Sequence, residues 1–426
     1  MGAISPGAAA MCGVLIPPGY PRDSLEPRLA WPGDRRGAWS TASTAWVPIG
    51  TMGAHMRYGM NPHQAAEVTG GPAVMNGEPS MINYLDALNA SALVREADAA
   101  TGLPAAASFK HVSPAGAAVA GTIDDVASET WRVADDGGLI SAYVRARDAD
   151  PKSSFGDVVA LSRPVDTATA EFLRTVICDA VIAPGYEEGA VALLSEKRGG
   201  RFLVFESDAA EPPLRERREL VGAVLEQDRD AADVAAALPQ DALDEAGRRD
   251  ALVGMITARY TQSNSVVLVR DGAAVGIGAG QQNRVDCVRL AGSKARVWWL
   301  RRHPFVRELP EVAGMRRQDR LNWQVRFAGA EMTRAQRAEF AGLFGPEASD
   351  RYADAGWRDA WCEGLDGITL VSDGFLPFRD NVDHAAEFGV STLVEPGGSA
   401  RTDEVAAAAA EHGIAHVQTG LRLFRH

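Results

Sequence analysis

Apolar residues recur at helical spacing in several stretches of this chain. The clearest stretch runs from Ile82 to Ala100 and stops at Gly102, and a glycine at this place is typical of a helix end. The same spacing predicts helices over Thr167–Val176, over Ala231–Ala237 with its continuation, and over Ala251–Tyr260. We therefore expect several helices, distributed along the chain.

Short runs rich in β-branched and aromatic residues alternate with these helices and predict strands. They are Ala106–Val112, Val158–Ser162, Ala180–Ala183, Phe202–Phe205, Ser265–Arg270, Ala274–Ala279, Thr369–Ser372, Thr392–Glu395 and Val417–Thr419. Near the carboxyl terminus, the segments TLVEP, DEVAAAAAEHG and AHVQT form a strand–helix–strand unit. This alternation predicts an α/β fold.

Two stretches depart from this alternation. Residues 1–50 are rich in Pro, Gly, Ala and Arg without sustained periodicity, which predicts a poorly ordered leader or an over-long start ahead of Met52 or Met56. Residues 305–364 are polar, rich in arginine and helix-prone, and predict a helical insertion.

The composition bounds the class of protein. The 426 residues, of which 46% are hydrophobic, are enough for two or three packed units. The net charge of −13 argues against a general nucleic-acid binder, which needs clustered positive charge, but leaves room for an anionic small molecule.

Cysteines and hydropathy indicate a cytoplasmic protein. Cys12, Cys178, Cys287 and Cys362 form no CxxC pair, so neither a disulfide framework nor structural zinc is expected. No apolar run approaches the ~20 residues of a membrane span. The amino terminus lacks the basic region of a signal peptide.

Two segments in the first half of the chain carry candidate chemistry. In RYGMNPHQ, Arg57 could clamp a phosphate with its planar guanidinium, although Asn61-Pro62 also indicates a plain turn. In SFKHVSPAG, Lys110 and His111 are adjacent at a strand end and could supply an acid and a base, provided that the chain turns there, as Pro114 and Gly116 suggest. The alternative for this pair is an exposed polar strand end.

A glycine-rich segment follows in the second half of the chain. TQSNSVVLVRDGAAVGIGAGQQNRVD has Gly276, Gly278 and Gly280 at GxGxG spacing and continues into polar glutamines instead of an apolar helix, so we reject a dinucleotide-binding loop. A tight turn close to a ligand is the preferred interpretation. Asn264 could hydrogen-bond a planar carboxamide.

The last candidate segments are SDGFLPFRDNVD and the terminal LRLFRH. Phe375 could line an apolar slot with Asp380 at its polar end, where a carboxylate accepts hydrogen bonds from an amino-pyrimidinone. A satisfied aspartate in a core turn and a solvated Arg422 are the plain alternatives.

Other common chemistries lack their motifs. HExxH is absent, as is HxE with PCxxC, which removes two zinc-enzyme classes. The chain has neither GxxxxGK[ST] nor GxSxG, so a P-loop NTPase and an α/β-hydrolase are not expected.

Taken together, the segments from about Met56 to His426 resemble the transformylase half of the bifunctional aminoimidazole carboxamide ribotide (AICAR) transformylase/IMP cyclohydrolase family. The resemblance rests on NGEPSMINYLDALNA, FKHVSPAGAA, SSFGDVVALS, APGYEE, YTQSNSV, GIGAGQQNR, RLAGSKA, FLPFRDNVD and LRLFRH, which occur in family order. It implies two cytidine-deaminase-like α/β lobes with a helical connecting subdomain. We place the lobes at 51–215 and at 216–304 plus 365–426, with the helical part at 305–364.

The resemblance also implies roles for individual residues. The catalytic pair would be Lys110 and His111. The ribotide-binding positions would be Arg57, Tyr58, Asn89, Gly156, Asp179, Asn264 and Arg422, and the folate-binding positions Arg284, Val285, Asn322, Phe375, Asp380, Ser399 and Ala400.

The implied reaction is formyl transfer from 10-formyltetrahydrofolate to the ribotide amine, in a homodimer whose active sites draw on both subunits. No catalytic metal is expected, whereas potassium accompanies the family. The family's cyclohydrolase domain has no counterpart in residues 1–50, so ring closure is not expected.

Departures from the family pattern leave alternatives open. Lys152 stands where an apolar residue is usual, and Leu376 replaces a second phenylalanine. They raise the alternative of an analogous acceptor, such as a pyrazole carboxamide ribotide. A third hypothesis is a silent folate- or ribotide-binding protein, against which the joint presence of Lys110, His111 and Asp380 argues.

Overall fold

The computed structural model describes residues 54–207 and 213–426. The predicted leader and Cys12 therefore lie outside the described residues. The first half holds strands β1 to β8, which are Ala54–His55, Glu67–Val68, Ala73–Asn76, Ala105–Lys110, Ser113–Val119, Asp157–Leu161, Cys178–Ala183 and Leu203–Glu206. Its helices α1 to α5 are Met81–Thr101, Asp125–Trp131, Leu139–Ala149, Thr167–Thr175 and Ala190–Ser195.

The second half begins with a separate hairpin and continues with the same kinds of element. Strands β9 to β15 are Arg215–Leu220, Ala223–Asp228, Val266–Arg270, Ala273–Gly278, Ile368–Ser372, Val390–Glu395 and Ala415–Gln418. Helices α6 to α14 are Val234–Ala237, Glu245–Arg259, Arg284–Leu300, Pro304–Arg307, Arg317–Ala328, Arg334–Ala353, Gly356–Cys362, Asp380–Ala386 and Thr402–Glu411.

One mixed sheet of eleven strands forms the centre, in the order β15-β14-β13-β11-β12-β5-β4-β6-β7-β8-β3. It contains one topology twice. In the first copy, β4 and β5 form a hairpin, β4 pairs antiparallel with β6, and β6, β7 and β8 run parallel. In the second, β11 and β12 form the hairpin, β11 pairs antiparallel with β13, and β13, β14 and β15 run parallel. The predicted α/β fold is confirmed.

Helices cover both faces of the sheet. On one face, α1 and α7 pack with the strands of both halves in a single core that includes Leu93, Phe109, Ile256 and Val267. On the other face, α3, α4 and α5 cover the first half, while α8, α13 and α14 cover the second. The two hairpins meet where β5 pairs with β12. The ends of β4, β5 and β12 thereby come close together.

The helices α9 to α12, between Pro304 and Cys362, have a core of their own. It is aromatic, with Phe327 stacked between Phe340 and Trp357 at ring-centroid distances of 5.4 and 5.7 Å. In the described chain no strand lies between these helices. The lobe and insertion boundaries that the sequence suggests stay a prediction.

Among the helices that were not predicted, α3 and α8 are the longest. The helix α3 is buried on nearly all sides, so its apolar residues show no helical spacing. The helix α8 begins at Arg284, directly after the polar glutamines, with Asn283 as its N-cap. The expectation that no helix opens there was wrong, because α8 takes its start from a cap instead of an apolar run.

Gly276 and Gly278 also lie elsewhere than expected. Both belong to β12, where α8 packs so closely that a Cβ would overlap the carbonyl oxygens of Ala291 and Cys287. Of the three glycines only Gly280 has a positive φ, of 67°. The interpretation of a turn at the first two was wrong, since they make room for a helix.

Candidate active site

The predicted catalytic pair lies at the turn between β4 and β5. Lys110 ends β4 and pairs across the hairpin with Ser113, which leaves His111 and Val112 as the two turn residues. Their φ angles are 56° and 60°, so both residues lie in the left-handed region. Two consecutive left-handed residues make a type I′ turn, which suits the twist of a hairpin.

The turn expected beside Lys110 and His111 is confirmed, but Pro114 and Gly116, which suggested it, both lie in β5. Pro114 adjoins a register shift at Phe109, and proline is tolerated at such irregularities. Gly116 lies where α3 crosses the strand, and a Cβ there would overlap the carbonyl oxygen of Ala146. These two residues therefore serve the packing of β5, and the turn itself is made by His111 and Val112.

Asp86 of α1 holds the turn from below. Its carboxylate accepts hydrogen bonds from the backbone N–H of His111 at 3.2 Å and of Val112 at 2.6 Å. Burial raises the pKa of Asp86, while these two N–H groups and the charges of His111 and Lys110 act in the opposite direction. Sequence reasoning assigned no role to Asp86, although it lies within the quoted NYLDALNA motif.

Lys110 contacts the residue before Gly156, and Gly156 lies beside Asp179; both are predicted ribotide positions. The Nζ of Lys110 donates to the carbonyl oxygen of Phe155 at 2.6 Å, next to Gly156 with φ 73°. A Cβ at Gly156 would lie 3.5 Å from the carboxylate of Asp179, which pairs with Arg198 at 2.6 Å. Burial raises the pKa of Asp179, and the charges of Arg198 and Lys110 oppose this.

A cavity of about 370 Å³ opens beside the pair. Its lining comes from both halves of the chain and consists of Lys110, His111, Ser113, Pro114, Ala115, Ser153, Ile277, Ala279 and Lys294. Lys294 on α8 pairs with Asp150 at 3.1 Å. The sequence reasoning did not single out Lys294, though it belongs to the quoted RLAGSKA motif. The side chains of Lys110, His111 and Lys294 thus line the same cavity.

Asn264 and Arg284 form a second cluster on the other half of the chain. Arg284 donates to the side-chain oxygen of Asn264 at 3.0 Å and to the carbonyl oxygen of Ser265 at 2.9 Å, and it pairs with the buried Asp373. The amide nitrogen of Asn264 donates to Gln281 at 3.0 Å. Val285 follows Arg284 in the first turn of α8.

A thiol beside this cluster stays protonated. Burial raises the pKa of Cys287 to about 11, and its Sγ donates to the carbonyl oxygen of Asn264 at 3.2 Å. Cys178, Cys287 and Cys362 are all free, so the prediction of no disulfide holds for these three.

The carboxyl-terminal residues contact both Asp373, which pairs with Arg284, and α1, which carries Asp86. Leu423 donates its N–H to Asp373 at 2.8 Å, and Arg425 reaches the side chain of Asn89 on α1. The exposed Arg422 guanidinium lies 4.7 Å from the ring centroid of Phe424. Asn89 on α1 is therefore in contact with the carboxyl-terminal segment that also contains Arg422.

Arg57 and Tyr58 lie at the start of α1. The N–H of Arg57 donates to Pro79 at 2.9 Å, and the carbonyl oxygen of Tyr58 accepts from Met81 at 3.1 Å. The Arg57 guanidinium donates to the Tyr58 hydroxyl at 2.8 Å. The backbone of these two residues therefore contacts the start of the helix that also carries Asp86.

The remaining folate positions are spread over several elements. Phe375 is 46% exposed after β13, and Asp380 opens α13, where its carboxylate accepts from Asn381 at 2.8 Å. Ser399 accepts from the N–H of Arg401 at 3.1 Å, and Ala400 is the exposed residue between them.

Asn322 stands apart from the other folate positions. It lies on α10, where its oxygen accepts from Gln318 at 3.2 Å. No hydrogen bond in the described part of the chain links Asn322 to Arg284 or Asp380. The placement of Asn322 with the other folate positions therefore stays a prediction.

Two comparisons now place the chain among known proteins. The family model described as AICARFT/IMPCHase bienzyme matches residues 38–294. The chain belongs to the AICARFT/IMPCHase bienzyme family.

Curated members of this family align over most of the chain. The bifunctional purine biosynthesis protein PurH of Cereibacter sphaeroides (strain ATCC 17029) is 34% identical over 421 residues, which cover 92% of this chain and 66% of that protein. PurH of Roseobacter denitrificans is 32% identical over 437 residues, which cover 96% of this chain and 69% of that protein. The chain thus spans about two thirds of the length of these family members.

The described residues of this family member form neither a membrane-spanning helix nor a cluster of metal-ligating side chains. None of the described helices has both the length and the apolar character to cross a membrane. No group of three or more His, Cys, Asp or Glu side chains in the described ranges could hold a metal ion.

Proposed function

We propose that the protein transfers the formyl group of 10-formyltetrahydrofolate to the 5-amino group of AICAR, giving formyl-AICAR and tetrahydrofolate. The observation that carries this proposal is the left-handed turn at which Lys110 and His111 border a cavity, in a chain of this family. The cavity volume of about 370 Å³ lies in the range of small-molecule sites.

The chemistry needs a proton acceptor. The ribotide amine is a poor nucleophile because its lone pair is delocalised towards the carboxamide. As the amine nitrogen bonds to the formyl carbon, His111 takes a proton from it. Lys110 stabilises the oxyanion of the tetrahedral intermediate and supplies a proton to the folate N10 when the bond from carbon to N10 breaks. The proton held by His111 restores Lys110, so the step balances without a metal.

Orientation of the two substrates contributes the remainder of the rate acceleration. Correct placement of two reactants can lower a barrier by roughly 7–11 kcal/mol. We assign the ribotide to Arg57, Tyr58, Asn89, Gly156, Asp179, Asn264 and Arg422. We assign the folate to Arg284, Val285, Asn322, Phe375, Asp380, Ser399 and Ala400. Both assignments are proposals, which the geometry around Lys110 and Arg284 supports in part.

A homodimer in the cytoplasm is part of the proposal. The hairpin β9–β10 pairs only with itself, and all of its strand residues are exposed. An isolated two-stranded hairpin is marginally stable in water. It nevertheless presents Leu214, Leu220, Val221 and Leu225 to solvent. A second copy of the chain would cover these apolar residues, and it would also bring a second set of folate positions within reach of each turn.

A potassium ion would fit beside Asp373. The hydroxyl of Ser265 is buried and has no hydrogen-bond partner in the described structure. The Asp373 carboxylate accepts from the Ser263 hydroxyl at 2.5 Å and from the Ser265 N–H at 3.0 Å. Hydroxyl and carboxylate oxygens are hard donors, and the bound ion would have a structural role only.

The test is mass spectrometry of the products from a panel of aminoazole ribotides with 10-formyltetrahydrofolate. We expect AICAR to gain one formyl group with the highest kcat/KM. A higher kcat/KM for a pyrazole carboxamide ribotide would assign the protein to that acceptor. Binding of ribotide and folate without any product would show a silent binding protein.

A further inference from the structure

A buried aspartate fixes the turn that carries His111. Asp86 is only 5% exposed, and its two carboxylate oxygens each accept one backbone N–H, from His111 and from Val112. A β-branched residue such as Val112 is strongly disfavoured at φ 60°. The turn therefore depends on an acceptor outside itself.

The second half of the chain repeats this arrangement. Asp250 is the sixth residue of α7, as Asp86 is of α1. Its oxygens accept the N–H of Asp271 at 2.9 Å and of Gly272 at 2.6 Å, at the turn of the hairpin β11–β12. Both residues of that turn are left-handed too, with φ 52° and 78°.

The surroundings of the two turns differ. The backbone of the second turn is bound by neighbouring elements, because Val119 donates to the carbonyl oxygen of Gly272 at 3.0 Å and Arg145 donates to that of Asp271. A glycine also occupies its second position, where φ is positive. The first turn has a valine at this position, and its His111 lines the cavity. The same arrangement, an aspartate under a left-handed turn, thus serves packing in the second half and borders the candidate active site in the first.

We propose that Asp86 is a positioning residue of the formyl transfer, which fixes the direction in which His111 and Lys110 leave the turn. The proposal rests on the proposed function. Asp86 itself lies under the turn and touches its backbone, so it acts through the two residues above it. Its loss would free the turn to adopt other conformations, in which the imidazole and the ammonium group point elsewhere.

The test compares Asp86→Asn with the matched control Asp250→Asn. An asparagine has one acceptor oxygen, so each variant loses one of its two turn hydrogen bonds. We expect Asp86→Asn to lower kcat by about 10- to 100-fold, the scale of a misplaced catalytic group, with both KM values within about threefold of wild type. We expect the two variants to lower Tm by similar amounts. Asp250→Asn should leave kcat within about twofold of wild type.

Two further variants keep the test decisive if Asp86→Asn does not fold. Asp86→Glu retains the charge but moves the carboxylate by one methylene, and should lower kcat about tenfold. Val112→Gly, added to either Asp86 variant, supplies a residue that favours positive φ and should recover part of kcat.

Amide hydrogen exchange gives a readout that does not depend on activity. Exchange at His111 and Val112 should accelerate in Asp86→Asn and stay unchanged in Asp250→Asn. Equal losses of kcat in the two Asn variants, or unchanged exchange at the first turn, would overturn the role of Asp86. If the wild type transfers no formyl group, the proposed function fails by itself, and the exchange rates alone decide whether Asp86 holds the turn.

Discussion

Lys110 and His111 border the cavity because of a backbone conformation that few residues adopt. The left-handed pair His111 and Val112 closes the hairpin in two residues, so the Lys110 side chain can reach Phe155 while His111 faces the cavity. The sequence predicted the pair and its chemistry. It also indicated a turn beside the pair, although Pro114 and Gly116, the residues that suggested the turn, serve here in a strand.

Arg422 offers a test at the scale of one residue. Its exposed guanidinium contacts Phe424 and forms no ion pair in the described structure, so it is free to bind an anion. We expect Arg422→Ala to weaken AICAR binding by about 10- to 100-fold, the value of one or two charge-assisted hydrogen bonds, with a smaller effect on kcat. Isothermal titration gives the affinity.

Arg316→Ala is the matched control, because this exposed arginine directly precedes α10 and pairs with Asp319. It should bind AICAR like the wild type. An unchanged affinity in Arg422→Ala would show that Arg422 does not hold the phosphate.

Among the elements, the strands of the sheet were largely predicted from local composition. Each predicted strand has an observed counterpart within a few residues, since buried β-branched runs occur chiefly in central strands. The predicted helix at Ala231–Ala237 is shorter than expected, because Asp233 caps it and Pro239 follows its end. The helices α3 and α8 escaped prediction because both lack an apolar stripe facing a polar one.

Glycines at helix–strand contacts provide a test at the scale of elements. A Cβ at Gly278 would overlap the carbonyl oxygen of Cys287, so Gly278→Ala must push α8 from β12. We expect a loss of about 1–3 kcal/mol in the free energy of unfolding, as for other overpacked sites. Urea denaturation measures it.

Gly342 in α11 is the control, because nothing lies within 4 Å of its position for a Cβ. Gly342→Ala should stabilise by about 0.5–1 kcal/mol, since alanine is the better helix former. Equal effects of the two substitutions would contradict the close packing of α8.

At the scale of the whole molecule, the chain is built from two copies of one strand topology with a helical part attached. Where the chain passes from α8 into the helical part, Asp148 of α3 pairs with Arg301 at 2.8 Å and with Arg302 at 3.3 Å. The family resemblance implied two similar lobes, whereas the pattern of apolar and polar residues alone did not show the repeat. The sites proposed for ribotide and folate likewise combine residues that are far apart in the chain.

The ion pairs of Asp148 make the stability of the protein depend on pH. Burial alone would raise the pKa of Asp148, but Arg301 and Arg302 outweigh it and hold the pKa below its usual value. The stabilisation is therefore present above the unfolded pKa of about 3.9 and is lost as the pH falls through the lower folded value. We expect the urea midpoint of the wild type to fall more steeply below about pH 4 than that of Asp148→Asn.

At neutral pH the same substitution should cost about 3–5 kcal/mol, because it leaves Arg301 buried without its partner. Parallel acid profiles of the two proteins would mean that other carboxylates set the acid sensitivity.

The most direct test of the central claim follows the formyl group itself. Wild type and His111→Ala are incubated with AICAR and 10-formyltetrahydrofolate that carries ¹³C in the formyl carbon, and the label is located by NMR while ribotide binding is measured separately. We predict label on the 5-amino nitrogen with the wild type, and no transfer but intact ribotide binding with His111→Ala. Transfer at the wild-type rate by His111→Ala, or no labelled product with the wild type, would contradict the account.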